Sequence, residues 1–100
     1  MSSSSAQWEY GVYEVKTTYQ EGQNPLTQTK WITREGETVA GAKSQLFRKL
    51  GAQEVMSDKH DIVLWNHLGE QGWHYVEQFD KTLTPAITQS QTIFRRELTH

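Results

Sequence analysis

The sequence predicts an α+β fold: an antiparallel sheet of about four strands with two helices packed on one face. Three observations carry that reading. The stretch Leu64–Val76, LWNHLGEQGWHYV, joins apolar residues at helical spacing to two glycines and then to an aromatic strand. The segments around Trp8–Val15 and Ile93–Phe94 carry the aromatic and β-branched residues that suit a pleated surface. Between them, Val39, Ala42, Leu46, Phe47 and Leu50 recur at helical spacing ahead of Gly51.

Strand one is expected from Gln7 to Tyr19, with Trp8, Tyr10 and Val12 toward the helices and Tyr13 and Val15 on the opposite face. The segment Gln20–Leu26 gathers Gly, Asn and Pro and reads as a loop; Thr27–Arg34 follows as a strand centred on Trp31 and Ile32, and Arg34–Glu37 as a turn. The first helix is expected from Thr38, with Gly51 as its cap. Gly41 inside it costs about 1 kcal/mol relative to Ala, a cost avoided if the helix starts near Ala42.

The second helix is expected over residues 58–69, capped at its start by Ser57 or Asp58 and with Asp61 complementing the positive end of its dipole. Its apolar face is read as Ile62, Trp65 and Leu68, with Leu64 on the flank. Gly69 is placed at the left-handed C-terminal position, and Gly72 lets the chain reverse. Strand three follows over Gly72–Phe79, a loop over Lys81–Pro85, and strand four over Gln89–Leu98. The expected core sets Trp65, Leu68, Leu46, Phe47 and Leu50 against Trp8, Tyr10, Trp73 and Phe94 or Ile93.

The run Leu64, Asn66, Leu68, Gly69, Gly72, Trp73, Val76, taken with the opening Trp8-Glu9-Tyr10 and the closing Ile93-Phe94-Arg95-Arg96, resembles a family of small bacterial and phage domains of unknown function. Their pattern runs WEY near the start, then LNxLGxxGWExV, then a terminal strand ending in FKR. Here Trp65 interrupts the Leu-Asn pair and His74 stands where the family has Glu, while residues Lys16–Val55 have no counterpart in the pattern. The resemblance implies a compact α+β unit and carries no activity, substrate or catalytic residue.

One hundred residues give one domain, expected over residues 7–100 behind a disordered serine-rich tail at 1–6. Net charge is −2, against the basic balance usual for a domain that grips a phosphate backbone. The first half holds six Lys and Arg against five acids, the second four against seven. There is no cysteine, hence no disulfide, no thiolate nucleophile and no Cys-ligated zinc. No stretch approaches the run of about 18 apolar residues of a membrane span. A cytoplasmic protein without a membrane segment is expected.

No residue pattern assembles a catalytic constellation. His60 and His67 lie two turns apart, about 10.5 Å along a helix and too far for one ion, and no HExxH or GxSxG pattern occurs. Glycine spacing forms no phosphate loop. No metal, cofactor or enzymatic activity is therefore expected.

The aromatic content is larger than one helix-on-sheet layer needs: four Trp, four Tyr and three Phe. It motivates three readings. The first is a non-enzymatic accessory or protein-interaction module that self-associates, with Tyr13, Val15 and Tyr75 as the candidate interface. The second is a small-molecule or nucleotide binder with an aromatic cleft at the glycine turn, formed by Gly69, Gly72, Trp73 and His74. The third is single-stranded nucleic acid stacked on an aromatic sheet face among Lys16, Lys30, Arg34, Arg95 and Arg96; the absent RNP pattern and the acidic balance argue against it.

Overall fold

The computed structural model describes residues 7–52 and 60–98. The expected tail at 1–6 and the expected N-cap at Ser57 or Asp58 lie outside those residues. The described chain is an α+β unit with five strands and two helices: β1 (Trp8–Thr18), β2 (Leu26–Thr33), β3 (Gly36–Ala40), α1 (Lys43–Lys49), α2 (His60–Glu70), β4 (His74–Thr84) and β5 (Ile87–Glu97). The strands form one antiparallel sheet in the order β3-β2-β1-β5-β4, so the long β1 is central and β4 is an edge.

Three element boundaries differ from expectation. Thr38 and Val39 belong to a fifth strand, which pairs Thr38 with Trp31 and Ala40 with Thr29; helix α1 begins only after Gly41. The Arg34-Glu35 turn folds β3 back onto β2, and this pairing overrides the weak helical period of Thr38–Ala42. The segment expected as a loop, Lys81–Pro85, is mostly strand: β4 runs to Thr84, and Pro85-Ala86 form the tight turn into β5. The Thr84 hydroxyl accepts the Ala86 N–H there at 3.1 Å. Gly69 lies within α2, and Gly72, at φ +92°, is the left-handed residue.

The end of α2 is a Schellman motif. Trp73 N–H donates to the Leu68 carbonyl at 2.9 Å and Gly72 N–H to that of Gly69 at 3.0 Å, which aims Trp73 back over Leu68. Helix α1 closes in the same way at Gly51, where Ala52 N–H reaches the Phe47 carbonyl at 2.9 Å.

Both helices cover the same face of the sheet, because Phe47 of α1 and Trp65 of α2 both pack on Tyr13, at ring-centroid separations of 6.2 and 5.6 Å. The core is Tyr13, Trp31, Phe94, Leu46, Phe47, Leu64, Leu68 and Trp73, with Ala40 and Ala52. Trp31 stands edge-on to both Trp73 and Phe94. Its indole lies over Gly11, where an added Cβ would come within 2.7 Å of the ring atom Cζ2. Gly11 is thus the space that Trp31 occupies.

This reverses the expected parity of β1. Glu9, Gly11, Tyr13 and Val15 face the helices, whereas Trp8, Tyr10 and Val12 face away, and Tyr10 is 53% exposed. Ile93, paired with Val12, belongs to the outward set, while Phe94 is core. On α2, Ile62 is exposed; Leu64 and Leu68 carry the buried face, with Trp65 partly buried.

Candidate functional site

Two surfaces remain once the core is filled, a polar cleft at one end of the sheet and a bare strand array at the other. The cleft, about 860 Å³, opens between the starts of β1 and β4, the end of β5, the β2–β3 turn and the turn after α2. Gly72 and His74 line it, together with Trp8, Arg34, Glu35 and Arg96. Gly69 and Trp73 are not in its lining: Gly69 is helical, and Trp73 is buried against Trp31. The wall is therefore mainly charged, with Trp8 as its aromatic part.

Arg96 organises that wall. Its Nε donates to Glu9 Oε1, a second guanidinium nitrogen donates to the Gln71 carbonyl at 3.2 Å, and its Cζ lies over the Trp73 ring, 4.5 Å from the centroid. A planar cation held by a carboxylate, a carbonyl and an indole ties the Schellman turn to β1 and β5. Arg95 points to the opposite face and stacks on Trp8 at 4.2 Å. Arg95 and Arg96, grouped in sequence as cations for a nucleic-acid face, are thus split between two sides of the sheet.

Tyr13, expected at an interface, is 2% exposed beneath the helices. Its hydroxyl donates to Asp61 Oδ1 at 3.3 Å, and Lys43 Nζ approaches the same carboxylate at 3.3 Å, so one polar node links β1, α1 and α2. Burial above all, then the Asp61 charge and this hydrogen bond, push the Tyr13 phenol well above its usual range. Val15 packs on the edge of the same core. Of the three expected interface residues, Tyr75 is on the surface: it is exposed on β4, with its ring edge-on to Phe94 at 6.2 Å. His67 acts structurally, its Nε2–H donating to the Leu50 carbonyl at 2.8 Å.

The face away from the helices carries a cross-strand row of Ile32, Val12 and Ile93, all half-buried. The next row sets Lys30 beside Glu14, and Glu14 accepts a hydrogen bond from Gln91 at 2.9 Å. Charge is balanced locally on this face.

The second surface is an arm. Strands β1, β4 and β5 each span 11 residues, about 36 Å, whereas α1 and α2 span 7 and 11 residues, about 10 and 16 Å. The sheet therefore runs on past its helices, and the described chain measures 64 × 30 × 21 Å. At the arm's tip the two hairpin turns meet, with Tyr19 N–H donating to the Ala86 carbonyl at 2.7 Å. On its helix-facing side lies a row of threonines, Thr27, Thr17, Thr88 and Thr82, in register across four strands. Every residue of β4 is exposed, including Tyr75, Val76, Phe79 and Leu83.

Sequence reasoning missed Phe79, Lys81 and Leu83 as members of one strand, because the expected loop began at Lys81. The available signal was Pro85, the only Gly or Pro between Gly72 and Gln89, which marks the hairpin tip. Comparison with protein-family models, with curated proteins and with solved structures finds no match to this chain.

Proposed function

We propose that the protein is a non-enzymatic, cytoplasmic accessory module that acts through protein contacts and self-associates. The observation that carries this reading is the four-stranded arm, which projects beyond both helices with its edge strand β4 exposed at every position. A sheet with neither face covered and both edges open, along β4 and along the short Leu26–Gln28 stretch of β2 that β3 does not reach, leaves apolar side chains and backbone donors and acceptors in water, and a second polypeptide relieves such exposure. The absence of cysteine and of any helix, among the described residues, long and apolar enough to cross a membrane is consistent with the proposed location. Sedimentation velocity over a concentration series tests the reading. A mass-action shift toward a dimer or larger species is expected, and a single monomer boundary at every concentration overturns it.

A second reading has one observation in its favour: the cleft of about 860 Å³ at the Gly72 turn, with Arg34 and His74 in its lining. The same wall holds Glu9, Glu35 and Glu97, with Arg96 already paired to Glu9, so a small polar molecule carrying both donors and acceptors, a nucleotide among them, is the chemistry it suits. A thermal-shift screen of small carboxylates and nucleotides tests it, with Arg34→Ala abolishing any shift found.

A further inference from the structure

We infer that β4 pairs antiparallel with the β4 of a second copy of this chain, about a two-fold axis through Phe79, to give a continuous ten-stranded sheet. The inference rests on the self-association reading and specifies its surface.

The sheet has two edges, and they are unlike. Strand β3 is 5 residues long, and its Val39 carbonyl already accepts Lys49 Nζ at 2.7 Å. Strand β4 is 11 residues long. Its ladder with β5 is regular between two irregularities, at Tyr75/Glu77 and Thr82/Thr84. Between these two irregularities Glu77–Thr82 is a stretch of regular register on an open edge, where a second strand can pair.

The sequence of that template is complementary to itself when reversed about Phe79. Glu77 falls opposite Lys81 of the second copy, and Lys81 opposite its Glu77, so two reciprocal ion pairs flank a Phe79–Phe79 contact. Gln78 meets Asp80, amide to carboxylate. Within the strand, Glu77, Phe79 and Lys81 share the face away from the helices, opposite Ile93, Gln91 and Gln89 of β5. A two-fold axis normal to the sheet keeps them on one face in both copies, as the ion pairs require. Moving the axis by one residue, onto Asp80, sets Asp80 against itself and Lys81 against Phe79, and onto Gln78 sets Glu77 against Phe79.

The same axis also closes the long open edge of the arm. Antiparallel pairing lays the Leu83 end of one β4 beside the Tyr75 end of the other, so each arm lies alongside the helix-covered end of its partner. Two such arms make the assembly more compact than either chain alone.

The absence of native cysteine makes the register directly testable. Residues facing each other across an antiparallel pair have Cα atoms about 4.5–5.5 Å apart, within the range of about 4.4–6.8 Å that a disulfide spans. Phe79→Cys is therefore expected to give a disulfide-linked dimer under mild oxidation. Leu83→Cys, whose two copies would lie about 27 Å apart, is not. In parallel, Lys81→Glu or Glu77→Lys is expected to weaken dimerisation by at least about tenfold, and the double variant Glu77→Lys/Lys81→Glu to recover it. Both positions are exposed, so far-ultraviolet circular dichroism unchanged from wild type certifies the fold. A wild-type dimer that ignores the charge reversals, or that cross-links equally well through Leu83→Cys, overturns the β4 pairing while the self-association reading stands. A wild-type monomer at high concentration overturns both.

Discussion

Two glycines three residues apart perform opposite tasks at the end of α2. Gly72 sits at φ +92° and carries the turn that presents Trp73 to Leu68, whereas Gly69 is an ordinary helical residue with open space where a Cβ would go. Gly72→Ala is therefore expected to destabilise by about 1 kcal/mol or more, and Gly69→Ala to stabilise by up to about 1 kcal/mol. Opposite shifts in urea midpoint for the two variants check this. Tyr13 makes a prediction of a different kind. Its phenol stays protonated in the fold at pH values where it ionises in the unfolded chain, ordinarily near pH 10. The unfolded state then holds fewer protons than the folded one. Stability owed to neutral Tyr13 is thus complete below about pH 10 and falls as pH rises above it. In Tyr13→Phe the alkaline loss is expected to be smaller than in wild type, measured as urea midpoint between neutral and strongly alkaline pH. Equal slopes for the two proteins would show that Tyr13 is not the group responsible.

At the scale of elements, α1 is the weakest structure in the covered half. It has 7 residues, its N-cap is Ala42, and no side chain caps its first turn; only the return bond is made, with Ala42 N–H donating to Gln45 Oε1 at 3.2 Å. Ala42 is exposed and its backbone is already extended, so Ala42→Ser supplies the missing acceptor without repacking. A gain of about 0.5–2 kcal/mol is expected, read as a raised melting temperature. The same region shows where the sequence was legible. The α+β class, α2 with its glycine turn, the Gly51 cap and the burial of Leu46, Phe47, Leu68, Trp73 and Phe94 follow from local period and capping chemistry. Strand β3 does not, because Thr38 and Val39 are held by pairing with β2, a non-local interaction that leaves only a short, ambiguous apolar pattern. The parity of β1 failed for a related reason. Trp8, Tyr10 and Val12 look like a core face, but the vacancy at Gly11 is filled by Trp31 from the neighbouring strand, and that decides which side is inside. A glycine in phase with Tyr13 and Val15 was the readable clue. Of the candidate site residues, Tyr75, Gly72 and His74 reached a surface, whereas Tyr13 and Trp73 were needed by the core.

The whole molecule is longer than its chain length suggests: its radius of gyration is 15.6 Å, against about 13 Å for a compact chain of this length. The arm adds to that length, since β1, β4 and β5 outrun both helices, and β1 runs through both regimes. Paired with β2 on one side and β5 on the other, β1 is hydrogen-bonded into the sheet both at Tyr13 and at Thr17. Any difference in amide exchange between those positions therefore reports packing, not missing partners. Tyr13 lies under Phe47 and Trp65, while Thr17 and Thr18 lie out in the arm, beyond the core cluster. Exchange at Tyr13 is expected to require opening of the whole core, and exchange at Thr17 and Thr18 only opening of the arm, giving at least about tenfold lower protection there at low protein concentration. Raising the concentration is expected to slow exchange in the arm and leave Tyr13 unchanged, since association that covers the arm adds nothing to a residue already sealed under two helices. Uniform protection along β1 at every concentration would mean that four paired strands hold the arm without help, and would remove the physical reason for a second chain.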